Sequence, residues 1–130
     1  MVMFANCQIG GMDLGLFDIC RTPIPPIPYP NVAIGPVTIP IPFNYLLMGL
    51  PAHNLLSIRP ISFGDTPGIG LGVICPLVMG PHRHLTGMFS FILKGAPATR
   101  GLSLGNTNGF NCPFALRIVP SQLKQLLLGP

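Results

Sequence analysis

The pattern of apolar and polar positions recurs along this chain at an offset of 46 residues. Phe43-Asn-Tyr-Leu-Leu-Met-Gly-Leu-Pro-Ala-His-Asn-Leu-Leu-Ser57 aligns without gaps to Phe89-Ser-Phe-Ile-Leu-Lys-Gly-Ala-Pro-Ala-Thr-Arg-Gly-Leu-Ser103, with seven identities in fifteen positions. Each copy reads as an aromatic and aliphatic run, a Gly, one further residue, Pro-Ala and a polar pair, which predicts a strand, a tight turn and a returning strand. Gly49 and Gly95 are the predicted turn residues, because Gly takes positive φ at little cost. Pro51 and Pro97 open the return strands, where a missing amide donor does least harm. One hairpin cannot cover its own apolar face, so the copies are expected to stack. Leu126-Leu-Leu-Gly129 echoes Leu46-Leu-Met-Gly49 and suggests a third, partial copy.

Seventeen prolines spread along the chain exclude long helices, since each removes a backbone donor and clashes with the preceding turn. The expectation is one all-β domain: an N-terminal segment over 1–34, a first hairpin repeat over 35–63, a Gly-rich loop over 64–80, a second repeat over 81–105 and a partial third over 106–130. Within the first segment, Thr22-Pro-Ile-Pro-Pro-Ile-Pro-Tyr-Pro30 favours polyproline II. Its interleaved Ile24, Ile27 and Tyr29 predict a strap packed on the core. The glycines of Gly64–Gly72 resemble a phosphate-binding loop only superficially, because no Lys-Ser/Thr follows them.

Composition narrows the function classes. Hydrophobic residues make up 48% and charged residues 8%, which argues for a packed fold against a disordered Pro/Gly-rich chain. The apolar run from Leu71 breaks at Pro76 and ends near Gly80-Pro81, short of the roughly 20 residues a membrane span requires. An amphipathic basic helix, the signature of a membrane-active protein, is missing. The first ten residues lack the basic region of a secretory signal, which suggests synthesis in the cytoplasm. The seven Lys and Arg are scattered singly, so no nucleic-acid footprint forms and the charges read as solubilising points. Cys7, Cys20, Cys75 and Cys112 show no CxxC spacing, and reduced thiols or a metal ligand are expected before disulfides. Only three carboxylates exist and none adjoins a His in sequence, so no enzymatic activity is expected.

Pro97-Ala-Thr-Arg100 and its earlier partner Pro51-Ala-His-Asn54 resemble the proline-alanine-alanine-arginine motif of the PAAR proteins. Asp18-Ile-Cys-Arg-Thr-Pro23, Pro28-Tyr-Pro-Asn31, Gly64-Asp65, Met79-Gly-Pro81, Thr86-Gly87 and Pro120-Ser-Gln122 are similar to the PAAR-like group long described as a domain of unknown function. The resemblance spans nearly the whole chain, and its motif residues here are Gly49, Pro51, Ala52, Gly95, Pro97, Ala98 and Arg100. It implies a cone or triangular β-prism that sharpens the trimeric spike, of the VgrG type, in a type VI or related contractile injection apparatus. One chain per spike trimer is expected, cytoplasmic before firing and delivered afterwards, with transient target-membrane contact and possible cargo. A cargo-adaptor domain of a larger effector is the alternative. The resemblance further implies zinc near the apex, held by histidine and cysteine. His82 and His84 share one face of a strand and can point at one ion, with Arg83 opposite. With His53 and Cys112 they make a four-ligand set, and Cys20 is the substitute.

Overall fold

The computed structural model describes residues 3–21, 25–67 and 69–129. Ten strands follow in order: β1 Met12–Arg21, β2 Pro26–Ile34, β3 Leu46–Leu47, β4 Leu50–Pro51, β5 Ile58–Arg59, β6 His82–His84, β7 Met88–Leu93, β8 Ala96–Ala98, β9 Gly105–Thr107 and β10 Cys112–Val119. Two short 3-10 turns, Gly35–Val37 and Asn108–Phe110, are the only helical elements among the described residues. The domain is all-β. An antiparallel sheet runs β2-β1-β10-β9-β6-β5, and the hairpins β3-β4 and β7-β8 stand apart from it.

Both predicted hairpins form where the repeat places them. Leu46 pairs with Pro51, and Ile92 with Pro97. Met48 and Gly49 have φ of 53° and 85°, Lys94 and Gly95 of 49° and 79°. Two successive positive φ angles are the signature of the two-residue turn that matches strand twist. Past each hairpin the same turn recurs: Asn54 and Arg100 donate their amides to Ser57 Oγ (3.2 Å) and Ser103 Oγ (3.0 Å).

A third hairpin closes the set, and its two arms come from opposite ends of the sequence. Leu126 bridges Phe4 as Leu46 bridges Pro51, and Ala5 donates to Gln125 O (3.0 Å) as Ala52 donates to Tyr45 O (2.8 Å). The echo at Leu126–Gly129 is therefore the outgoing arm. The return arm, Phe4-Ala-Asn-Cys7, carries neither Pro nor the Gly turn and could not be matched by sequence. The three return arms interlock in closed rings. His53 donates to Asn6 O (2.9 Å), Asn6 to Thr99 O (3.0 Å) and Thr99 to His53 O (3.2 Å). One turn further, Gln8 donates to Pro51 O, Leu55 to Pro97 O and Gly101 to Phe4 O, at 2.9–3.1 Å. The bridges Ala5–Arg100, Cys7–Ala52 and Asn54–Ala98 repeat the cycle. These contacts define a pseudo-threefold axis. The apolar core lies on it, formed by Ala5, Ala52, Ala98, Leu93, Leu127 and Met88, with Leu47 packed against them. Alanine recurs at the three positions where the return arms bridge one another. Arg100 reaches across to Leu127 O (3.0 Å) and Gly129 O (2.6 Å), fastening the split hairpin.

Two expectations are corrected. The Pro-rich segment is not a strap on the core: Pro26–Pro30 belong to β2, an edge strand whose Ile27 is exposed. Proline suits an edge because its missing donor faces no neighbour. Thr22, Pro23 and Ile24 of that segment lie outside the described residues. The charges are not all solubilising either, since Asp13, Asp18, Asp65, Arg59 and Arg117 are buried. The sheet turns its polar face inward and its apolar face out. A bulge between Gly15 and Asp18 shifts the strand parity, so Asp13 before it and Asp18 and Cys20 after it face the same interior. Leu16 and Phe17 take up the extra residue and stay exposed, beside Phe114, Leu116 and Ile118.

Glycines mark where backbones meet. At Gly64 φ is 129°, and a Cβ would strike the carbonyl of Pro30, whereas a Cβ on Gly49 would meet nothing. Gly64→Ala should cost ~2–4 kcal/mol against ~1–2 kcal/mol for Gly49→Ala, the second reflecting positive φ alone. Chemical denaturation of both variants checks the difference, and equal losses would contradict the packing described.

Candidate metal centre

β1, β10, β6 and β5 carry Asp13, Arg117, His82, His84 and Arg59 to one buried point. The register explains the assembly: Asp13 lies opposite Arg117, and Arg59 opposite His82. Arg117 grips the carboxylate through two nitrogens, Nε to Oδ1 at 2.8 Å and Nη2 to Oδ2 at 3.1 Å. Arg59 Nη1 stands 2.6 Å from Oδ2. Burial alone would raise the Asp13 pKa, but Arg117 and Arg59 outweigh it and hold the carboxyl well below its usual range. Burial also draws Arg59 down to about 10.

His82 and His84 alternate inward around the exposed Arg83, as their spacing predicts, with ring centroids 5.1 Å apart. His82 Nε2 faces Asp13 Oδ2 at 3.4 Å and His84 Nε2 at 3.7 Å. Both rings are neutral, so neither contact is an ion pair. Burial and then Arg59 push His82 down to about 3; burial also drives His84 and His53 well below the ordinary value. His84 Nε2 lies 3.4 Å from both terminal nitrogens of Arg59 and accepts from them. Both nitrogens of His53, both of His82 and Nδ1 of His84 have no hydrogen-bond partner.

Orphaned, neutral, buried imidazoles fit a zinc ion, which would satisfy nitrogens that otherwise carry a desolvation cost. His82 and His84 are the residues that would hold it. Their ligand atoms and an Asp13 oxygen lie within 4.8 Å of one another. His53 belongs to the ring of return arms and feels Arg59, Arg117 and Asp13, but it is not in that three-residue group. Cys112 is elsewhere: its Sγ donates to Phe114 O at 3.6 Å and fills the space above Gly15, beside Thr107 Oγ1. The sequence-derived set is thus gathered only in part, and Asp13, Arg59 and Arg117 are residues that sequence reasoning missed. Strand alternation was the available signal for Asp13. Nothing local marked the arginines.

A second buried cluster groups Asp18, Cys20 and Asp65. Burial, then Asp18 and Asp65, push the Cys20 thiol up to about 12. Burial likewise raises Asp65. All four cysteines are free thiols.

Removing one partner of a buried ion pair strands the other charge, so Arg117→Ala should destabilise by ~3–5 kcal/mol, measured by chemical denaturation. In chelator-treated protein the depressed histidines give a definite sign. Protons bind the unfolded imidazoles first, so stability is full above pH 6.5 and falls as pH drops toward about 3. Below about 4 the loss steepens as Asp13, also depressed, protonates in the unfolded chain. A flat stability profile between pH 7 and 4 would contradict the buried neutral histidines.

Comparison with known proteins places this architecture. No curated protein and no solved structure matches the chain. A family model described as Toxin PAAR-like domain matches residues 11–113, which include β1 to β9, the first two residues of β10, the two continuous hairpins and the Asp13–His82–His84 and Asp18–Cys20–Asp65 groups, with Arg117 lying beyond the match. With most of its length matched, the chain belongs to the Toxin PAAR-like domain family.

Proposed function

We propose that this domain is the tip of a trimeric spike in a type VI or related contractile injection apparatus, serving piercing and effector delivery and not catalysis. The observation that carries the reading is the pseudo-threefold arrangement of hairpins. Leu46, Ile92 and Leu126 occupy equivalent positions and are 59%, 60% and 51% exposed. Met48 and Leu128 extend the same apolar rim, with Lys94 at the third place. A cavity of about 280 Å³ is lined by equivalent residues of all three hairpins, Tyr45, Phe91 and Gln125 together with the three alanines. One chain thus offers three similar apolar contacts, the number a trimer of the VgrG type presents, and closed symmetry favours such repeated contacts. Apolar surface of this extent also suits a protein that works covered.

Family membership supports a role associated with the spike or its effector. No helix among the described residues is long and apolar enough to cross a membrane. On this reading a zinc ion at His82 and His84 stiffens the fold, since it ties β6 to the charge knot. No reaction is assigned to it.

Native mass spectrometry of the domain mixed with its spike should give one chain per trimer. Leu46→Asp combined with Ile92→Asp should weaken binding at least tenfold by losing about two buried aliphatic contacts, while circular dichroism stays unchanged. A one-to-one chain ratio, or no association, would overturn the proposal.

A further inference from the structure

Asp18, Cys20 and Asp65 form a buried site of different chemistry from the charge knot. Four groups converge on the Asn108 carboxamide nitrogen: Asp65 Oδ2 at 2.5 Å, Leu77 O at 3.1 Å, Asp18 Oδ1 at 3.3 Å and Cys20 Sγ at 3.8 Å. Cys20 Sγ is also 3.5 Å from Asp18 Oδ1 and 3.9 Å from Asp65 Oδ2. The Met79 amide adds 3.1 and 3.2 Å contacts to Asp65. These neutral donors can serve the oxygens. They carry no charge of their own, and among the described residues no Lys, Arg or His forms an ion pair with either of the two buried acids. Buried charge of one sign needs a counter-charge.

A second observation points to what supplies it. Asn31 is fully buried, and its carboxamide rests on Asp18, with Nδ2 bonded to Asp18 Oδ2. Its other polar atom, Oδ1, has no donor. A cation beside Asp18 would engage that oxygen after a turn of the planar amide, with the Asn31 Nδ2 bond to Asp18 given up in exchange. The backbone builds the site deliberately. The β1 bulge directs Asp18 and Cys20 inward, Asn31 sits across the ladder opposite Gly15, and the positive φ of Gly64, packed on Pro30, aims Asp65 into the same space.

We propose that Asp18, Cys20 and Asp65, with Asn31 Oδ1 as the fourth donor, bind one divalent cation of the zinc class. A sulfur with three oxygens suits zinc over calcium or magnesium, which prefer oxygen alone. On binding, the Cys20 thiol proton leaves to solvent, and thiolate and two carboxylates neutralise the ion with one negative charge in excess. The ion joins β1, β2 and the 64–80 loop, and the inference does not depend on spike docking.

Cobalt titration of the chelator-treated full chain tests it. A thiolate-to-cobalt charge-transfer band should appear in wild type and persist in Cys112→Ala and His82→Ala. Cys20→Ala should abolish it, and the near-isosteric Asp65→Asn should weaken cobalt affinity at least tenfold. No band in wild type, or one lost with Cys112→Ala and kept in Cys20→Ala, overturns the proposal. Should Cys20→Ala not fold, X-ray absorption of wild type at one equivalent of zinc decides: a shell of one sulfur and oxygens supports the site, and imidazole ligands refute it.

Discussion

The fold depends on backbone hydrogen bonds that close on themselves. His53 to Asn6, Asn6 to Thr99 and Thr99 back to His53 form a ring in which each arm is held by the next. None of the three is a pair of sequence neighbours, so the ring cannot form until all three arms arrive. Buried amides and carbonyls must find partners, and here each arm's partners are supplied by the other two. Ala5, Ala52 and Ala98 stand beside the ring, and the buried apolar cluster around them is small. That scarcity explains why so much of the remaining interior is polar.

With few apolar side chains inside, the sheet's interior is organised by charge. Asp13 holds Arg59 and Arg117, and its pull on Arg59 opposes that side chain's burial without overcoming it. Such a knot gives geometric specificity more than net stability, because desolvation consumes most of the attraction. It leaves Leu16, Phe17, Phe114 and Leu116 outside, and the exposed charges Arg21, Arg83, Lys94 and Lys124 are all positive. The sheet is therefore polar on its inner face and apolar on its outer one, an arrangement suited to a part that functions against other surfaces.

The two buried clusters divide the ionisable chemistry between them. One joins a carboxylate to two cations and neutral imidazoles; the other joins two carboxylates to a thiol. Only the bulge between Gly15 and Asp18 allows one strand to feed both. Asp18 and Cys20 were visible in sequence as a motif of the family, and Cys20 as a substitute ligand. Their partner Asp65, visible in the Gly64-Asp65 motif, lies 45 residues beyond Cys20, and only the tertiary structure decides that they meet.

The sequence by itself determined the all-β class, the two hairpins with Gly49 and Gly95 at their turns, the inward pairing of His82 and His84, and the family. Each of these rests on local physics: proline against helix, glycine for positive φ, and a period of two along a strand. Only the tertiary structure decided that the third hairpin is made from Phe4 and Leu126, that half the charges lie inside, and that Asp13 stands among the histidines while Cys112 stands apart. Those outcomes depend on strand register and bulges, which follow from long-range closure. A one-residue slip exchanges the two faces of a strand, and composition cannot signal it in a chain whose apolar residues lie outside.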